Sequence, residues 1–279
     1  MSLEEFKREV SLMAHLRSFF LVPFFGACFG PEYCLVMAYA ENGALTGHLN
    51  DPQLTEAMRV RILMDISYGL AFLHNYKSEK VQDGVVHADL KPDNVVLDRN
   101  KRAKLADFGC AKMMKVTTHQ SALEDIGPEH GGTYAYMAPE ILDLEPTTKA
   151  SDMYSLAVLI LALWARQQPY QGISIVELAQ FVCGGGRPAI PENTPPPIAE
   201  LIGQCWQQRA EDRPSINIAI QELEEKQPQI FAFFQHVAEP ALPEPISLDV
   251  GLGDDGEKGK DKELKEDSKN VPTVHSAQW

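Results

Sequence analysis

The stretch of sequence that decides the fold is His87-Ala88-Asp89-Leu90-Lys91-Pro92-Asp93-Asn94, and the shorter string Asp107-Phe108-Gly109 follows it. Between them the two strings carry three carboxylates, one lysine, one asparagine and one histidine. A polar loop, residues 75–84, leads into the first string, and the pattern is mainly helical from residue 151 onward. Either string alone is weak, because Asp-Phe-Gly is also a common turn. Their joint occurrence is what calls for a chemical explanation.

Four of the polar side chains in these strings match the demands of phosphoryl transfer. That reaction needs divalent cations over the phosphates, a carboxylate at the attacking hydroxyl and a positive charge near the moving group. Asp89 can accept or orient the hydroxyl proton, and Lys91 lies on the same side of an extended loop. Asn94 and Asp107 offer the hard oxygen ligands that suit magnesium.

The two strings resemble the H-R-D-L-K-P-x-N catalytic loop and the D-F-G magnesium loop of eukaryotic protein kinases. Three further matches follow in the family's order. Ala138-Pro139-Glu140 resembles the end of an activation segment, Ser151-Asp152-Met153-Tyr154-Ser155 the start of the buried central helix, and Asp212-Arg213-Pro214 the late arginine motif. The pair Lys91-Pro92 resembles the serine/threonine kinases, and the later motifs resemble their tyrosine-kinase-like group.

For the reaction, the resemblance implies a protein serine/threonine kinase that uses ATP and Mg2+ and acts on a protein substrate. Asp89 and Lys91 would be the catalytic residues, with Asp89 as the base, and Asn94 and Asp107 would hold the magnesium.

For the adenine, Leu35-Val36-Met37-Ala38-Tyr39-Ala40 resembles the last small-lobe strand and the hinge. Met37 would be the gatekeeper, the backbones of Ala38 and Ala40 would bond the adenine edge, and Val96 would lie under the ring. The alternative that these residues form an ordinary core strand remains open, because the backbone rather than the side chains would recognise the adenine.

Structural roles are also implied. Glu9 stands where the small-lobe helix carries its ion-pairing glutamate, and His87 is expected to pack against Phe108 rather than to act in catalysis. Three more structural positions belong to the large lobe: Asp152, and the ion pair of Glu140 with Arg213. Cys110 is interpreted as a small packing residue, with a reactive thiol as the alternative.

The implied fold class is α+β, a two-lobe kinase fold with a mainly helical large lobe and a truncated small lobe of one helix and about two strands. We expect a small lobe and hinge at 1–40, a large lobe at 41–228 and a tail at 229–279, disordered from about 239. Periodicity predicts helices at 3–16, from about 45, at 55–74, 198–207 and 215–226, and strands at 21–28 and 33–39.

Composition excludes several other classes. The net charge of −14 and the lack of a basic run argue against a nucleic-acid partner. Five cysteines without a C-x-x-C pair indicate reduced thiols rather than a disulfide framework or a zinc site. The acidic start is no signal peptide, and the apolar run Leu156 to Ala165 is too short to span a membrane. We therefore expect a soluble cytoplasmic protein.

The pattern departs from the family in two places. No G-x-G-x-x-G and no V-A-I-K string precedes Glu9, so about 45 residues of a kinase domain are expected to be missing. Phe24, Phe25 and Val36 would then be exposed, as a surface for a regulatory protein. Ala88 replaces the arginine that grips a phosphorylated activation segment. Activity is therefore expected not to depend on phosphorylation of three hydroxyl residues: Thr117, Thr118 and Ser121.

Three hypotheses stay open at this point. The first is a serine/threonine kinase whose sequence is incomplete at the N-terminus. The second is a pseudokinase-like binding scaffold, favoured by the absent nucleotide clamps and by Ala88 but disfavoured by the intact Asp89 and Asp107. The third is a fragment that does not fold alone, because an isolated hairpin is marginal in water.

Overall fold

The computed structural model describes residues 3–30, 33–79, 81–107 and 134–236. They belong to a compact unit, Met1–Ala238; a second unit, Glu239–Trp279, holds the predicted disordered tail and lies outside the described residues. Helices and strands follow in this order: α1 Leu3–His15, β1 Phe24–Phe29, β2 Tyr33–Met37, α2 Glu56–Asn75, β3 Val95–Leu97, β4 Ala103–Leu105, α3 Pro139–Leu142, α4 Lys149–Ala165, α5 Ile175–Cys183, α6 Pro196–Cys205 and α7 Ile216–His236. The expected α+β class with a mainly helical second part is confirmed.

Strands β1 and β2 form an antiparallel hairpin that carries helix α1 on one face. Phe6 of α1 is buried; its ring stacks on that of Tyr33 with centroids 4.9 Å apart and meets the ring of Phe29 edge-on at 5.4 Å. Such aromatic contacts add to the area they bury. The helix therefore gives the two strands the packing partner that an isolated hairpin lacks.

The exposed apolar surface expected on this hairpin is present, with one correction. Phe25 is 70% exposed and Val36 is 48% exposed. Phe24, however, is only partly exposed and packs against the core. A bulge between Phe24 and Gly26 explains the difference, since the extra residue, Phe25, turns outward and leaves Phe24 facing the interior.

Helix α4 lies at the centre of the helical part and is apolar on all sides. Its side chains from Ser151 to Trp164 are buried except Ser155, as expected of a helix surrounded by other elements. A capping box fixes its start: the Thr148 hydroxyl accepts from the Ser151 N–H, and the Ser151 hydroxyl accepts from the Thr148 N–H. The first turn of α4 also contains Asp152, which contacts the loop of residues 87–94.

Helices α2 and α7 pack against each other at the edge of the bundle. The Tyr68 hydroxyl donates to the Glu224 carboxylate at 2.6 Å, and the Asn75 amide donates to Oδ1 of Asn217 at 2.8 Å. The carboxylate and burial together raise the pKa of Tyr68 to about 12, so this hydroxyl remains a donor at neutral pH.

Two predicted helices were wrong in type or extent, and the strand predicted to begin at Leu21 begins at Phe24. The helix expected from about Leu45 is a single 3-10 turn, Leu45–His48. Helix α7, expected to end at Lys226, continues through Pro228 to His236 and so runs eight residues into the predicted tail. Pro228 removes one backbone hydrogen bond, but burial of Ile230 offsets this loss. No helix of the described ranges is long and apolar enough to cross a membrane.

Candidate active site

A short hairpin brings Asn94 and Asp107 to the same end of the fold. Strand β3 pairs antiparallel with β4, and Val95 stands opposite Leu105. Asn94 immediately precedes β3, and Asp107 comes two residues after β4 ends. The Ala106 N–H donates to the Asn94 carbonyl at 2.8 Å and extends the ladder to this end. The two oxygen-bearing side chains, 13 residues apart in sequence, therefore share one edge.

The Asp89 carboxylate is the centre of a small polar cluster. Its Oδ2 accepts a hydrogen bond from the Asn94 amide at 2.7 Å and lies 2.9 Å from Lys91 Nζ. The Asn94 amide also donates to the Asp89 carbonyl at 2.8 Å. The Asp89 side chain keeps 40% of its surface exposed. The cluster thus holds one carboxylate oxygen firmly while the group remains open to a reactant.

Asn94 is oriented by these two bonds. Its NH2 group faces two oxygen acceptors of Asp89, which fixes the amide orientation. The side chain is buried in a 3-10 turn, Pro92–Asn94. Its Oδ1 is consequently the atom left for another partner. Asp107 is exposed and has a left-handed backbone with φ 53°, a conformation that is uncommon for residues other than glycine.

Asp152 holds the loop that carries Asp89. This carboxylate, in the first turn of α4, is 1% exposed. It accepts three hydrogen bonds of 2.8 Å each, from the backbone N–H groups of His87 and Ala88 and from Nε2 of His74. Charge-assisted bonds of this kind are stronger than neutral ones. They hold Ala88 in a left-handed conformation with φ 64°, and this sets the direction in which Asp89 leaves the loop.

His87 is fully buried beneath the loop. Its Nδ1 is 3.4 Å from the Asp89 N–H, a long hydrogen bond in which the ring accepts. Burial lowers the pKa of His87, although the carboxylates of Asp152 and Asp89 oppose this shift. A neutral ring inside the protein agrees with a packing role; the expected contact with Phe108 lies outside the described residues.

The segment after β2 is tied to the same hairpin. The Ala38 N–H donates to the Pro23 carbonyl at 2.8 Å, and the Gly43 N–H donates to the Ala40 carbonyl at 3.0 Å. Ala44 bridges to Val96, and the Leu97 N–H donates to Gly43 at 2.8 Å. The structure thus joins the predicted hinge to the strand that carries Val96. Met37, at the end of β2, packs partly buried against the core.

Glu140 and Arg213 form a bidentate ion pair. Nη1 and Nη2 of Arg213 donate to the two Glu140 oxygens at 2.6 and 2.7 Å. Arg213 Nη1 also donates to the Ala150 carbonyl at 2.9 Å, and its guanidinium carbon lies 5.3 Å from the ring centroid of Tyr154. The pair therefore joins α3 to the start of α4, where Asp152 is located.

Sequence reasoning missed a second ion pair, in which the carboxylate is buried and the arginine is partly exposed. The Asp65 carboxylate of α2 accepts from Nε and Nη2 of Arg102 at 2.7 and 2.5 Å and from the Ala103 N–H at 3.0 Å. Asp65 thereby holds β4, the strand that precedes Asp107, against α2. The signal in the sequence was a carboxylate inside an apolar helix stripe, between Leu63 and Ile66. His74, the partner of Asp152, was also missed.

Several predicted positions lie outside the described residues or side chains. Glu9 lies in α1, but its side chain is outside the described residues. Cys110 and the activation-segment hydroxyls Thr117, Thr118 and Ser121 fall within 108–133, which also lies outside them. Their assigned roles stay predictions.

Comparison with known proteins gives a consistent result. A family model described as protein tyrosine and serine/threonine kinase matches residues 1–223. The chain is 33% identical over 226 residues to serine/threonine/tyrosine-protein kinase HT1 of Arabidopsis thaliana, which covers 79% of this chain and 54% of that protein. It is 30% identical to serine/threonine-protein kinase STY46 of the same plant, over 80% of this chain and 37% of that one.

A third relative comes from a different organism. The chain is 30% identical over 240 residues to probable serine/threonine-protein kinase drkA of Dictyostelium discoideum, over 84% of this chain and 35% of that protein. The chain therefore spans between about a third and about half of the length of these three relatives.

Proposed function

Since the chain belongs to the protein tyrosine and serine/threonine kinase family, we propose that it transfers the γ-phosphoryl group of ATP to serine or threonine hydroxyls of a protein substrate. The observation that carries this proposal is the cluster of Asp89, Lys91 and Asn94 on one loop. The likeness to the plant kinases supports the serine/threonine type and the tyrosine-kinase-like group.

In this proposal Asp89 orients the substrate hydroxyl and accepts its proton. Both of its side-chain contacts, to Lys91 and to Asn94, use Oδ2. Neither of these two contacts uses Oδ1, and the side chain keeps 40% of its surface exposed. A positioned carboxylate of this kind contributes about 10²- to 10⁴-fold to proton-transfer steps. Lys91 supplies the positive charge near the moving phosphoryl group.

The donor set fits Mg2+. This ion takes oxygen ligands and relies on one or two protein side chains together with substrate phosphates. Asn94 Oδ1 is left over by the two bonds of the amide group, and Asp107 presents an exposed carboxylate at the same end of the β3–β4 hairpin. Asn94 and Asp107 would hold the ion, which when bound offsets the negative charge of the phosphates. The described residues hold no cluster of three or more His, Cys, Asp or Glu side chains for a metal.

The adenine would lie against the segment 37–44. Two backbone bonds use the Ala38 N–H and the Ala40 carbonyl. They do not use the Ala38 carbonyl or the Ala40 N–H, which are an acceptor and a donor suited to the edge of an adenine ring. Val96, on the neighbouring strand, would pack on the ring, with Met37 as the gatekeeper.

A specific observation favours a second candidate, a binding scaffold of low activity. Phe25, Val36 and Tyr39 expose apolar surface on or next to the β1–β2 hairpin, with Tyr39 at 85%. Apolar patches of this kind mark interaction surfaces, and a regulatory protein would cover this one. We also propose that this chain is located in the cytoplasm, which is in keeping with the free thiols of Cys28 and Cys34.

Mg2+-dependent ATP binding separates the two candidates. The intact chain is melted with ATP at about 100 times the Kd, with and without Mg2+, and a kinase site raises the Tm by roughly 5 °C. The shift should vanish in Asp107→Asn and persist in Glu200→Gln, which removes one charge from an exposed, remote pair. If Mg2+ and ATP leave the Tm of the wild-type chain unchanged, this result would contradict the kinase proposal and favour the scaffold proposal.

A further inference from the structure

Two exposed cysteines face each other across the β1–β2 hairpin. Cys28 of β1 stands directly opposite Cys34 of β2, in the register that also pairs Phe29 with Tyr33. Both cysteines are free thiols and both are exposed. The facing Cys34 thiol raises the pKa of Cys28. The sequence shows no such pair, since five residues separate the two cysteines.

The geometry of the pair suits a covalent bond. Directly opposed residues of an antiparallel pair have Cα atoms about 4.5 to 5.5 Å apart. A disulfide takes Cα separations of about 4.4 to 6.8 Å. We propose that Cys28 and Cys34 are a modification site, which forms a reversible intramolecular disulfide by exchange with a low-molecular-weight disulfide such as oxidised glutathione.

The surroundings leave the pair accessible. Side chains alternate between the two faces of a strand, and Phe29 and Tyr33 are on the face that contacts Phe6 of α1. Cys28 and Cys34 are therefore on the opposite face, which α1 does not cover. An incoming disulfide reaches either sulfur without opening the helix packing.

The other described thiols differ in both respects. Cys205 is buried in α6, and burial raises its pKa to about 12. Cys183 is partly buried, and its Sγ contacts the Pro139 carbonyl and an Asp143 carboxylate oxygen at 3.6 Å each. Among the described residues, only the hairpin pair combines exposure with a facing thiol.

The exchange proceeds in two balanced steps. One cysteine thiolate attacks a sulfur of oxidised glutathione, the glutathione S–S bond breaks, and one glutathione thiolate leaves while the other glutathione stays bound to the cysteine as a mixed disulfide. The second cysteine loses its proton and attacks the sulfur of the first, which releases the second glutathione. Two protein thiols are thereby oxidised and one glutathione disulfide is reduced to two thiols. Because the pKa of Cys28 is raised, we expect disulfide formation to be faster at higher pH, where more of the thiol is ionised.

The bond would cross-link the two strands of the β1–β2 hairpin. A two-stranded sheet is marginal by itself, and among the described residues β1 and β2 pair only with each other. A cross-link at this pair, next to the pair of Phe29 and Tyr33, would fix their register. This inference does not rest on the proposed function, although β2 leads directly into Met37 and Ala38.

The test uses the intact chain in glutathione redox buffers, with quenching by an alkylating reagent, digestion and mass spectrometry. The expected product links the peptide of Cys28 to that of Cys34 and is lighter than the two reduced peptides by two hydrogen atoms. It should form faster at about pH 9 than at about pH 7. Cys28→Ser and Cys34→Ser should stop at the glutathione mixed disulfide, whereas Cys183→Ser should still form the link.

A second measurement tests the structural consequence. Amide hydrogen exchange in 24–29 and 33–37 should slow by about tenfold or more on oxidation, and reduction should reverse it. Two results would overturn the proposal. One is that, after incubation with oxidised glutathione, Cys28 and Cys34 are both still fully modified by the alkylating reagent, just as Cys183 is. The other is that Cys28 links instead to another cysteine or to a second chain, which a non-reducing gel would show.

Discussion

The side-chain amide of Asn94 donates a hydrogen bond of 2.7 Å to Oδ2 of Asp89. A residue proposed to hold the metal therefore also orients the residue proposed to accept the proton. The two roles are coupled by a direct contact, and the cluster acts as one unit rather than as separate groups.

The first prediction concerns Asp89 itself. Asp89→Asn keeps the shape of the side chain but removes the acceptor charge, so phosphoryl transfer should fall by about 10²- to 10⁴-fold while Mg2+-ATP binding persists. The matched control is Asp93→Asn, an exposed carboxylate of the same loop, which should leave the rate within about twofold. Single-turnover transfer to a generic protein substrate measures both. Equal losses in the two variants would contradict the role of Asp89.

The second prediction concerns the support of the loop. Asp152→Ala leaves the N–H groups of His87 and Ala88 and the ring of His74 without their acceptor. We expect the free energy of unfolding to fall by about 3 to 5 kcal/mol. Urea unfolding checks this, with Asp212→Ala as the control, because Asp212 is in an exposed ion pair and should cost under about 0.5 kcal/mol. A loss below about 1 kcal/mol for Asp152→Ala would mean that the loop is held by other contacts.

The third prediction is a dependence of stability on pH. Burial lowers the pKa of His87 below its unfolded value of about 6.5. Between the two pKa values the unfolded chain binds a proton that the folded chain excludes, so stability rises with pH in this window. As the pH falls below about 6.5, the free energy of unfolding should drop by up to about 1.4 kcal/mol per pH unit from this residue.

The comparison of wild type with His87→Asn isolates that contribution, because the other histidines titrate in both proteins. The difference in unfolding free energy between the two proteins, measured in urea from about pH 7.5 to about pH 5, should narrow as the pH falls. A constant difference across this range would show that His87 is not buried in its neutral form.

The fourth prediction contrasts a buried ion pair with an exposed one. Arg213→Met leaves Glu140 partly buried without its bidentate partner and should cost about 3 to 5 kcal/mol. Arg213→Lys should recover only part of this, since an ammonium cannot form both bonds. Lys226→Met breaks the exposed pair with Glu200 and should change stability by under about 1 kcal/mol. Chemical denaturation of the three variants ranks them, and similar costs for Arg213→Met and Lys226→Met would contradict the contrast.

Several elements could be predicted from the sequence because their signals are local. The periodicity of α1 and α2 depends only on residues close in sequence, and Thr55 is the N-cap of α2. The predicted bounds of both helices were therefore within one or two residues of the observed ones. The α7 boundary was wrong because Pro228 is a strong local stop signal, whereas burial of Ile230 against distant residues decides the outcome. Phe24 was misplaced for a similar reason, since a bulge depends on the pairing of two strands.

The sequence by itself determined which chemical groups the site contains and their order along the chain, because Asp89, Lys91 and Asn94 are within six residues of one another. Only the tertiary structure decided how they are held. His74 and Asp152 are 78 residues apart, and Asp65 and Arg102 are 37 apart. Such partners meet because packing of α2, α4 and the β3–β4 hairpin brings them together, and a buried carboxylate is stable only where that packing supplies donors. The facing thiols of Cys28 and Cys34 likewise depend on strand register, which neither residue specifies alone.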